Sequence, residues 1–574
     1  MKSNRVRFAV WCGLAVGALA PVRAYGATPV APVPRPCTPR FTAGSVVHNP
    51  PALFSSNGVL NVRFSYQTTT DSAGRPVYCM MTDSGIQEPT LHVNPGDTLI
   101  ITVTNNTPPQ NFQHAEVYNP PNCGDKKIQW DGVAPAAPAD GSSVNIHYHG
   151  TNTTPQCGGD NVVKALINSG TTFQYNFVFP RDEPPGLYWY HPHVHGLAER
   201  DLLGGATGLL VVDGIQNVQP SVAGLRQRFL AIRDLPQVQG LDEGPGNCGV
   251  DIPFQDVSVN YVPVDSHATV DSAGNTTSIS FTPAVLQMAP GETQFWRVAN
   301  TAADTILDLQ VVYDGVPQTI QLVAIDGVPV NSQEGTQPGS LIPVTRFRLP
   351  PAARVEFLVK APASTVRKAQ LVTNNINNGP DGDCDPTRAL FNIQLMSTVD
   401  PFDDTTGPFS GLITSQQRFG NTANFPITTT RRFQFSEVQP TEFFITQVSA
   451  GQNPTLFDNN NPPAVVTTQG AVEKWIVQNI AQENHEFHMH QIHFKVLSQD
   501  NFEANGVQQA PGINGQFLDM IEVPFWTGAA ATPIPDVQLL MDFTGMDIGD
   551  FVYHCHILGH EDLGMMAIIR VKAN

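Results

Sequence analysis

Charged residues are scarce in this chain, and those present are unbalanced. Only 14% of its 574 residues are Asp, Glu, Lys or Arg, and the net charge is −19. An acidic chain without a basic patch does not attract nucleic acid, so we expect no nucleic-acid partner. Long helical periodicity is also absent, while turn-forming residues recur along the whole sequence. This composition predicts an all-β protein.

Long apolar runs are confined to the N-terminus. Basic residues precede the run Phe8–Ala20, and the small residues Ala24 and Ala27 follow it as candidate cleavage points. This order is typical of a secretory signal peptide, which we place at residues 1–27. The run is short for a membrane span, although a retained anchor is the alternative. We therefore predict a secreted or periplasmic protein that leaves the membrane once the signal is removed.

The sequence His554-Cys555-His556 is the strongest chemical signal in the chain. His560 and Met565 follow at the spacing Cys555-x4-His560-x4-Met565, which suits a blue-copper site with thiolate, imidazole and axial thioether ligands. Successive side chains of a β-strand point to opposite faces, so both flanking histidines can face away from the Cys555 site. They could bind a second metal site that receives electrons through Cys555.

Three segments resemble one another at spacings of roughly 190 residues, which is typical of three copies of one β-sandwich unit. Each is a turn followed by an alternating strand that ends in asparagine: Leu99–Asn106, Phe295–Asn300 and Trp475–Asn479. We place the domains at residues 28–213, 214–399 and 400–574. The role of a Pro- and Asn-rich insertion, Thr107–Ser143, stays open.

A second repeat links the two ends of the chain. Gly186–Gly196 matches Gly549–Gly559, and Pro192 stands in the position of Cys555. Likewise, the pair His147 and His149 matches His488 and His490, whereas the middle domain has only His267. Domains 1 and 3 are therefore expected to hold metal, and domain 2 to space or orient them.

Twelve of the sixteen histidines fall in four clusters. A single histidine is more often a surface or hydrogen-bonded residue, but four clusters together favour metal binding. Zinc is the alternative metal, yet one cysteine among many histidines is an unusual structural zinc set, and the spacing to Met565 favours copper. The clusters are His147/His149, His191/His193/His195, His485/His488/His490/His493 and His554/His556/His560.

These motifs make the chain similar to multicopper oxidases of the laccase type. The segments Trp189–Gly196 (WYHPHVHG) and His554–Met566 (HCHILGHEDLGMM) carry the resemblance, together with the two other histidine motifs in the same order. The chain resembles most the three-domain branch that includes bacterial spore-coat laccase, bilirubin oxidase and periplasmic cuprous oxidase. The resemblance implies three consecutive cupredoxin-like Greek-key β-sandwich domains and four copper ions.

The resemblance also implies which residue holds which copper. It assigns His485, Cys555, His560 and axial Met565 to the type 1 copper, and His147 and His488 to the type 2 copper. The type 3 pair takes His149, His191, His193, His490, His554 and His556.

Three positions depart from the family pattern without removing a ligand, and one of them is Tyr148, where tryptophan is common. Glu486 and Gln491 replace the usual proline and glycine of the third motif, and both could alter ligand orientation or solvent access. His195 is common in this branch as a residue that supports the ligands. For the extra His493 we expect a local hydrogen bond, with metal ligation as the alternative.

Protons and electrons need routes in such a protein. Glu561 matches an acidic residue that the family uses beside its three-copper site, where a carboxylate can act as a general acid. Asp160 is the candidate for a second such carboxylate, but it lies two residues further on than the family pattern, so a plain loop role stays open. Electrons are expected to enter at His560, and axial Met565 predicts a modest potential.

Six cysteines remain outside the signal and the metal motif, and an even number in an exported protein predicts disulfides. Proximity favours Cys37–Cys79 and Cys123–Cys157, with other pairings open. The remaining cysteines are Cys248 and Cys384.

Together these features predict a monomeric enzyme. It would couple one-electron oxidation of a phenolic or aromatic amine reductant to four-electron reduction of dioxygen to water. A metal-ion (Cu(I) or Fe(II)) or bilirubin oxidase is the alternative, although the methionines are too scattered for a Cu(I)-binding cluster. A non-enzymatic copper-binding assembly is a third hypothesis, against which the complete ligand set argues.

Overall fold

The computed structural model describes residues 35–110, 139–237, 252–331, 339–397, 418, 426–545 and 547–574. The predicted signal peptide and most of the insertion Thr107–Ser143 lie outside these residues. Strands dominate the described chain, which confirms the all-β prediction. None of the helices in the described ranges is long and apolar enough to cross a membrane.

The first region, up to Val212, is a sandwich of two sheets. One sheet has the strand order β1-β4-β9-β8-β6 and the other β3-β2-β5-β7. Apolar side chains of both sheets form one buried cluster, and the strict alternation of β5 turns every second residue into it. The elements are β1 (Ala52–Phe54), β2 (Val59–Thr70), β3 (Pro76–Thr82), β4 (Thr90–Val93), β5 (Thr98–Asn105), β6 (His147–His149), β7 (Thr172–Val178), β8 (Gly186–His191), α1 (Ala198–Leu203) and β9 (Gly208–Val212).

The middle region contains two larger sheets and a hairpin. The sheets have the orders β12-β11-β10-β16-β23-β19-β20, with β21 beside β19, and β15-β25-β24-β17-β18, with β22 beside β17; β13 and β14 form the hairpin. The elements are α2 (Ile215–Val218), a 3-10 turn (Pro220–Val222), β10 (Arg226–Leu235), β11 (Asp256–Val259), β12 (Val262–Val264), β13 (Ser266–Val270), β14 (Thr276–Phe281), β15 (Ala284–Met288), β16 (Thr293–Asn300), β17 (Leu307–Tyr313), β18 (Val316–Pro317), β19 (Ile320–Ile325), β20 (Val328–Pro329), β21 (Ile342–Val344), β22 (Phe347–Leu349), β23 (Arg354–Lys360), β24 (Ala369–Thr373) and β25 (Arg388–Leu395).

The last region repeats the two-sheet plan of the first. Its sheets have the orders β27-β26-β29-β34-β31-β32 and β28-β36-β35-β30-β33. The elements are β26 (Thr429–Val438), β27 (Glu442–Thr446), a 3-10 turn (Val448–Ala450), β28 (Val465–Thr468), β29 (Val472–Asn479), β30 (His485–Met489), β31 (Phe494–Asp500), a 3-10 turn (Glu503–Asn505), β32 (Phe517–Leu518), β33 (Met520–Val523), β34 (Asp536–Asp542), β35 (Gly549–Cys555), α3 (Leu558–Asp562) and β36 (Met566–Lys572).

The three segments that resemble one another in sequence occupy equivalent places. They form β5, β16 and β29, which pair in parallel with β2, β10 and β26. Each ends in a fully buried asparagine whose side-chain amide donates to two backbone carbonyls and whose oxygen accepts an N–H two residues on. The repeated asparagine therefore has a structural role, because its side chain forms hydrogen bonds with buried backbone groups at the end of a core strand. The three residues are Asn105, Asn300 and Asn479.

The predicted limit at Asp213 comes directly after β9. The predicted limit at Val399 lies outside the described residues. Both limits stay predictions, but no sheet of the described chain mixes strands from two of the three regions.

Candidate metal centre

The first two histidine motifs lie side by side in one sheet of the first region. Strand β6 pairs antiparallel with β8, so that His147 is opposite His191. Because alternate residues of a strand share a face, His147 and His149 project to the same side, while Tyr148 packs into the core. His193 follows just beyond β8. The local sequence therefore presents four imidazoles at one edge of the sandwich.

The last region has the same arrangement. Strand β30 pairs antiparallel with β35, which places His488 opposite His554 and Phe487 opposite Cys555. His556 follows directly after β35. The alternation of the strand puts Cys555 on the face opposite to His554, as the sequence pattern predicts.

The histidine-bearing edges of the first and last regions meet. The rings of His147 and His490 stack with centroids 3.8 Å apart, and those of His149 and His488 with centroids 4.0 Å apart. Each of the eight imidazoles is at most 1% exposed. The eight residues are His147, His149, His191, His193, His488, His490, His554 and His556.

Backbone carbonyls fix the tautomer of three of these imidazoles. In each, Nδ1 lies within hydrogen-bond distance of a carbonyl oxygen, which can only accept, so Nδ1 carries the proton and Nε2 keeps its lone pair. The bonds join His191 to Pro192 O (2.7 Å), His488 to Asp519 O (2.8 Å) and His554 to Cys555 O (2.8 Å).

Carboxylates orient two further rings. Nδ1 of His147 lies 2.9 Å from Asp160, and Nε2 of His149 lies 3.1 Å from Asp519. A metal-binding histidine typically donates its other ring N–H to such a group, which fixes the ring and raises its basicity. The free nitrogens are therefore Nε2 of His147 and Nδ1 of His149, and neither has a hydrogen-bond partner among the described residues.

The remaining ring nitrogens converge on one another. Nε2 of His554 lies 3.3 Å from Nε2 of His193 and 3.2 Å from Nε2 of His490. The lone pair on Nε2 of His554 therefore faces two further ring nitrogens, and a cation between them could bind all three if His193 and His490 also keep Nε2 unprotonated. Donor sets within 4.8 Å include His193/His490/His554, His147/His149/His191 and His147/His488/His490. The donor chemistry fits a cluster of nitrogen-bound copper ions.

A second donor set lies on the other side of Cys555. Nδ1 of His485 and Nδ1 of His560 are 3.1 Å apart, and each lies 3.8 Å from Sγ of Cys555. These separations suit a metal about 2.0 Å from each nitrogen and about 2.3 Å from sulfur. Met565 is fully buried, and its carbonyl oxygen accepts the N–H of Cys555. The predicted type 1 residues are therefore neighbours, and their ligand roles stay predictions.

Burial sets the protonation of these donors. It lowers the pKa of all ten imidazoles, so they are neutral near pH 7 and keep a lone pair for a metal. Burial raises the pKa of the Cys555 thiol, and the backbone N–H groups of Glu486 and Ile557 oppose that shift. A thiolate at Cys555 therefore needs a nearby cation, which copper would supply.

The two predicted proton-carrying carboxylates both lie at the histidine cluster. Asp160 binds His147, as described above, and Glu561 lies 3.4 Å from Nδ1 of His193 and 3.2 Å from Nδ1 of His554. Burial raises the pKa of Asp160 to about 7 and that of Glu561 well above its ordinary value. Asp160 is thus in contact with the cluster despite its offset from the family spacing.

Gln491 occupies the position where the family pattern has glycine, and its side chain forms a contact that glycine could not. Its backbone has φ 60°, a conformation in which glycine is free of strain and glutamine is not. The side-chain amide of Gln491 donates to Asp160 at 2.5 Å, and Asp160 in turn binds His147. Glutamine therefore adds a link to the ligand support that glycine could not provide.

Sequence reasoning missed a buried ion pair at the cluster. Both guanidinium NH groups of Arg354 donate to Asp519, at 2.7 and 2.6 Å, and Asp519 contacts His149 and His488. Arg354 belongs to the middle region, which therefore reaches the metal centre through Asp519. The local signal in the sequence was a pair of acidic residues, Asp519 and Glu522, inside the otherwise apolar stretch Phe517–Val523.

The two extra histidines, His195 and His493, are not among the predicted copper ligands. Nε2 of His493 donates to the carbonyl of Asp326 at 2.9 Å, so the residue makes a hydrogen bond, but the bond reaches the middle region and is not the local one expected. His195 contacts the ring of Phe457 at 4.9 Å between centroids.

The predicted Cys37–Cys79 disulfide is present. Cys157 and Cys384 are also disulfide-bonded. The predicted partner of Cys157, Cys123, lies outside the described residues, so the Cys123–Cys157 pairing stays a prediction.

Comparison with known proteins gives the class that this fold and site define. Two family models, both described as multicopper oxidase, match residues 140–217 and 424–574. The iron transport multicopper oxidase fetC of Epichloe festucae is 21% identical over 74% of this chain and 67% of its own length. A laccase of Bacillus subtilis is 21% identical over 73% of this chain and 78% of its own length.

Solved structures agree on the fold. The McoA multicopper oxidase from Aquifex aeolicus aligns with a TM-score of 0.63 at 17% identity, covering 93% of this chain and 100% of that one. This chain therefore has the three-domain, cupredoxin-like fold that its sequence predicts. Residues 140–217 and 424–574 thus match multicopper oxidase domains, and the relatives that match about three quarters of the chain are named multicopper oxidase or laccase. Multicopper oxidases are copper-dependent oxidoreductases that use dioxygen and a reductant.

Proposed function

We propose that this chain is a laccase-like oxidase that binds four copper ions and reduces dioxygen to water with electrons from phenols or aromatic amines. One observation carries the proposal. Eight buried imidazoles from the first and last regions converge on one another. Cys555 belongs to a separate donor set with His485 and His560, and its two sequence neighbours belong to the cluster of eight. Copper at these sites would supply one-electron acceptance at the Cys555 set and oxygen reduction at the histidine cluster.

The polypeptide itself provides the link between the two sets. Cys555 belongs to one set, while His554 and His556, the residues on either side of it, belong to the other. An electron accepted near Cys555 therefore has a short covalent route to the cluster. Glu561 contacts two histidines of the cluster from within the buried interior, where a carboxylic acid can deliver protons to reduced oxygen.

Electron entry is proposed at His560. It is 9% exposed, whereas each of the other predicted ligands is at most 1% exposed. Because electron transfer requires only close approach to the ring and not bonding to it, a phenol need not fill a shaped pocket. This is the basis for proposing a broad range of easily oxidised aromatic reductants.

A metal-ion oxidase is the second candidate, favoured by a cavity beside His560. The cavity has a volume of about 20 Å³, which is room for an ion or a water. Glu483 lies 3.3 Å from Nε2 of His560, and Oδ2 of buried Asp304 has no hydrogen-bond partner among the described residues. The cavity is lined by four carboxyl groups, Asp304, Asp383, Asp385 and Glu483. Burial raises the pKa of Asp304 and that of Glu483, the latter to about 11, so a cation such as Fe(II) or Cu(I) would bind with release of their protons.

A reductant panel on copper-reconstituted protein separates the two candidates. We expect four coppers per chain, a blue colour, and oxygen uptake with 2,6-dimethoxyphenol and an aromatic diamine. Bilirubin, Fe(II) and Cu(I) complete the panel at equal enzyme concentration. A hundredfold preference for a metal ion would replace the phenolic assignment, and colourless copper-loaded protein without turnover would refute the oxidase proposal.

Asp304→Asn tests the cavity directly. The amide keeps an oxygen to accept the N–H of Gly559, a bond of 3.2 Å, but it cannot ionise to bind a cation. If a cation is the reductant, kcat/KM for that ion falls at least tenfold while phenol turnover is unchanged. Exposed Glu503→Gln is the matched control and should alter neither activity.

We also propose that the mature protein is an exported monomer. The N-terminal signal pattern and the Cys37–Cys79 disulfide support export, because disulfides persist in oxidising compartments. Sizing of the secreted protein and N-terminal sequencing test both points.

A further inference from the structure

The sulfur of Cys555 has a backbone hydrogen-bond donor at a position where the family pattern described above has proline. The backbone N–H of Glu486 points at Sγ of Cys555, with nitrogen and sulfur 3.3 Å apart. The carbonyl of the same residue accepts the N–H of His556 at 2.9 Å, so both polar groups of Glu486 face β35. Strand pairing thus fixes the direction of this N–H.

Proline at this position would remove the donor, because proline has no backbone N–H. The His-Pro step that is usual in the family is His485-Glu486 here. Glutamate in place of proline therefore adds a hydrogen-bond donor to the sulfur of Cys555, and the donor belongs to the backbone and not to the glutamate side chain. Its carboxylate is fully buried, and neither oxygen has a hydrogen-bond partner among the described residues.

A hydrogen bond to a metal-bound thiolate changes the balance between two oxidation states. The N–H stabilises negative charge on sulfur and so weakens the donation of electron density to the metal. Oxidised copper depends on that donation more than reduced copper does. Hydrogen bonding around the cysteine sulfur is accordingly one of the factors that tune the potential of blue-copper sites.

We propose that the backbone N–H of Glu486 is a positioning group that raises the reduction potential of the Cys555 copper site. It opposes the lowering effect of the axial Met565 and widens the range of reductants that can donate electrons. The inference rests on the proposed binding of copper by Cys555, His485 and His560.

Two variants separate the N–H from the carboxylate. Glu486→Pro removes both, whereas Glu486→Ala removes the carboxylate and keeps the N–H. His485 lies in the extended conformation of β30, which is the conformation that a following proline favours. The difference between the two variants therefore reports the N–H alone.

The measurement is a redox titration of the copper-loaded proteins, followed by the blue absorption of the thiolate–copper site. We expect the ratio of reduced to oxidised site, at a fixed solution potential, to fall about tenfold from the alanine to the proline variant, or about 59 mV for one electron. The blue band should move to longer wavelength in the proline variant alone. Equal potentials in the two variants would overturn the inference.

A second measurement covers the case in which the proline variant does not fold. Wild-type protein and Glu486→Ala are labelled with 15N-glutamate, and pulsed electron–nuclear resonance detects nitrogen coupled to the oxidised site. A coupling present in the wild type and absent from Glu486→Ala supports the inference, and its absence from the wild type overturns it. A wild type that binds copper without a blue band would instead refute the proposed function.

Discussion

Cys555 shows how one side chain links burial to chemistry. Its sulfur is completely buried, burial raises the pKa of its thiol, and only backbone N–H groups and a cation can stabilise the thiolate. The same residue lies between two histidines of the other donor set. The proposed roles of Cys555 in electron transfer and in metal binding therefore depend on a single atom, its sulfur.

Replacing the sulfur of Cys555 should abolish the blue colour without preventing folding. In Cys555→Ser the hydroxyl has a similar size but does not act as a thiolate ligand, so we expect loss of the blue band and of oxygen uptake. The histidine cluster should still bind copper, because none of its donors is changed. Absorption, copper content and circular dichroism check this. Full activity in the serine variant would contradict the proposed electron route.

At the scale of elements, the repeated strand-end asparagines hold each sandwich together. Asn479 is fully buried at the end of β29 and donates to the carbonyls of Glu483 and Val523 at 2.8 and 3.0 Å. The segment after it leads directly into β30, which carries His485. A strand-end hydrogen-bond network thus supports the strand that presents metal donors.

Removing this side chain should be costly for folding. Asn479→Ala leaves two carbonyls and the N–H of Ala481 without their partner in a buried place, so we expect a loss of about 3 kcal/mol in the free energy of unfolding. Exposed Asn460→Ala is the control and should change it by less than about 0.5 kcal/mol. Chemical denaturation of both variants measures the difference. Equal stability of the two variants would rule out the structural role of Asn479.

At the scale of the whole molecule, the metal centre lies between regions that are distant in the chain. The first and last regions supply the imidazoles. The middle region supports them through Arg354, which binds Asp519 of the last region. A further contact joins the first and middle regions: the hydroxyl of Tyr261 donates to Glu88 at 2.9 Å. The assembly of the three regions is therefore a condition for the site.

Copper removal should weaken that assembly. A ligand that binds only the folded state stabilises it by about 4 kcal/mol when its concentration is a thousandfold above Kd. We expect chelated protein to unfold at a lower temperature and to regain its stability on reconstitution. Differential scanning calorimetry of both forms tests this, and hydrogen exchange should show the largest loss of protection in β6, β8, β30 and β35. An unchanged unfolding temperature would argue against copper between the first and last regions.

Glu88 should make the stability of the assembly depend on pH. Burial raises its pKa to about 8, so the folded protein holds a proton that the unfolded chain releases at lower pH. Its contribution to stability is complete below about pH 4.5 and is lost as the pH rises towards about 8. Glu88→Gln, which cannot ionise, should lose less stability than the wild type between pH 5 and 8.

Unfolding temperatures at the two pH values measure this effect. Exposed Glu442→Gln is the control and should keep the wild-type dependence. A Glu88→Gln variant with the same pH dependence as the wild type would show that Glu88 is ionised in the folded protein at both pH values.

The sequence by itself determined the donor residues and the repeated plan of the fold. Histidine and cysteine positions could be interpreted because alternation along a strand decides which neighbours share a face. The spacing from Cys555 to Met565 is likewise a local property. Asp160 was a weaker prediction because a loop, without such periodicity, separates it from His149.

Only the tertiary structure decided what surrounds those donors. Asp519 and Arg354 meet at the histidine cluster, and Asp304 and Glu483 meet beside His560, from segments far apart in the chain. The N–H of Glu486 acquires a role because strand pairing aims it at the sulfur of Cys555. Such contacts depend on how the three sandwiches pack against one another. That packing involves residues from the whole chain, so no short segment of the sequence predicts it.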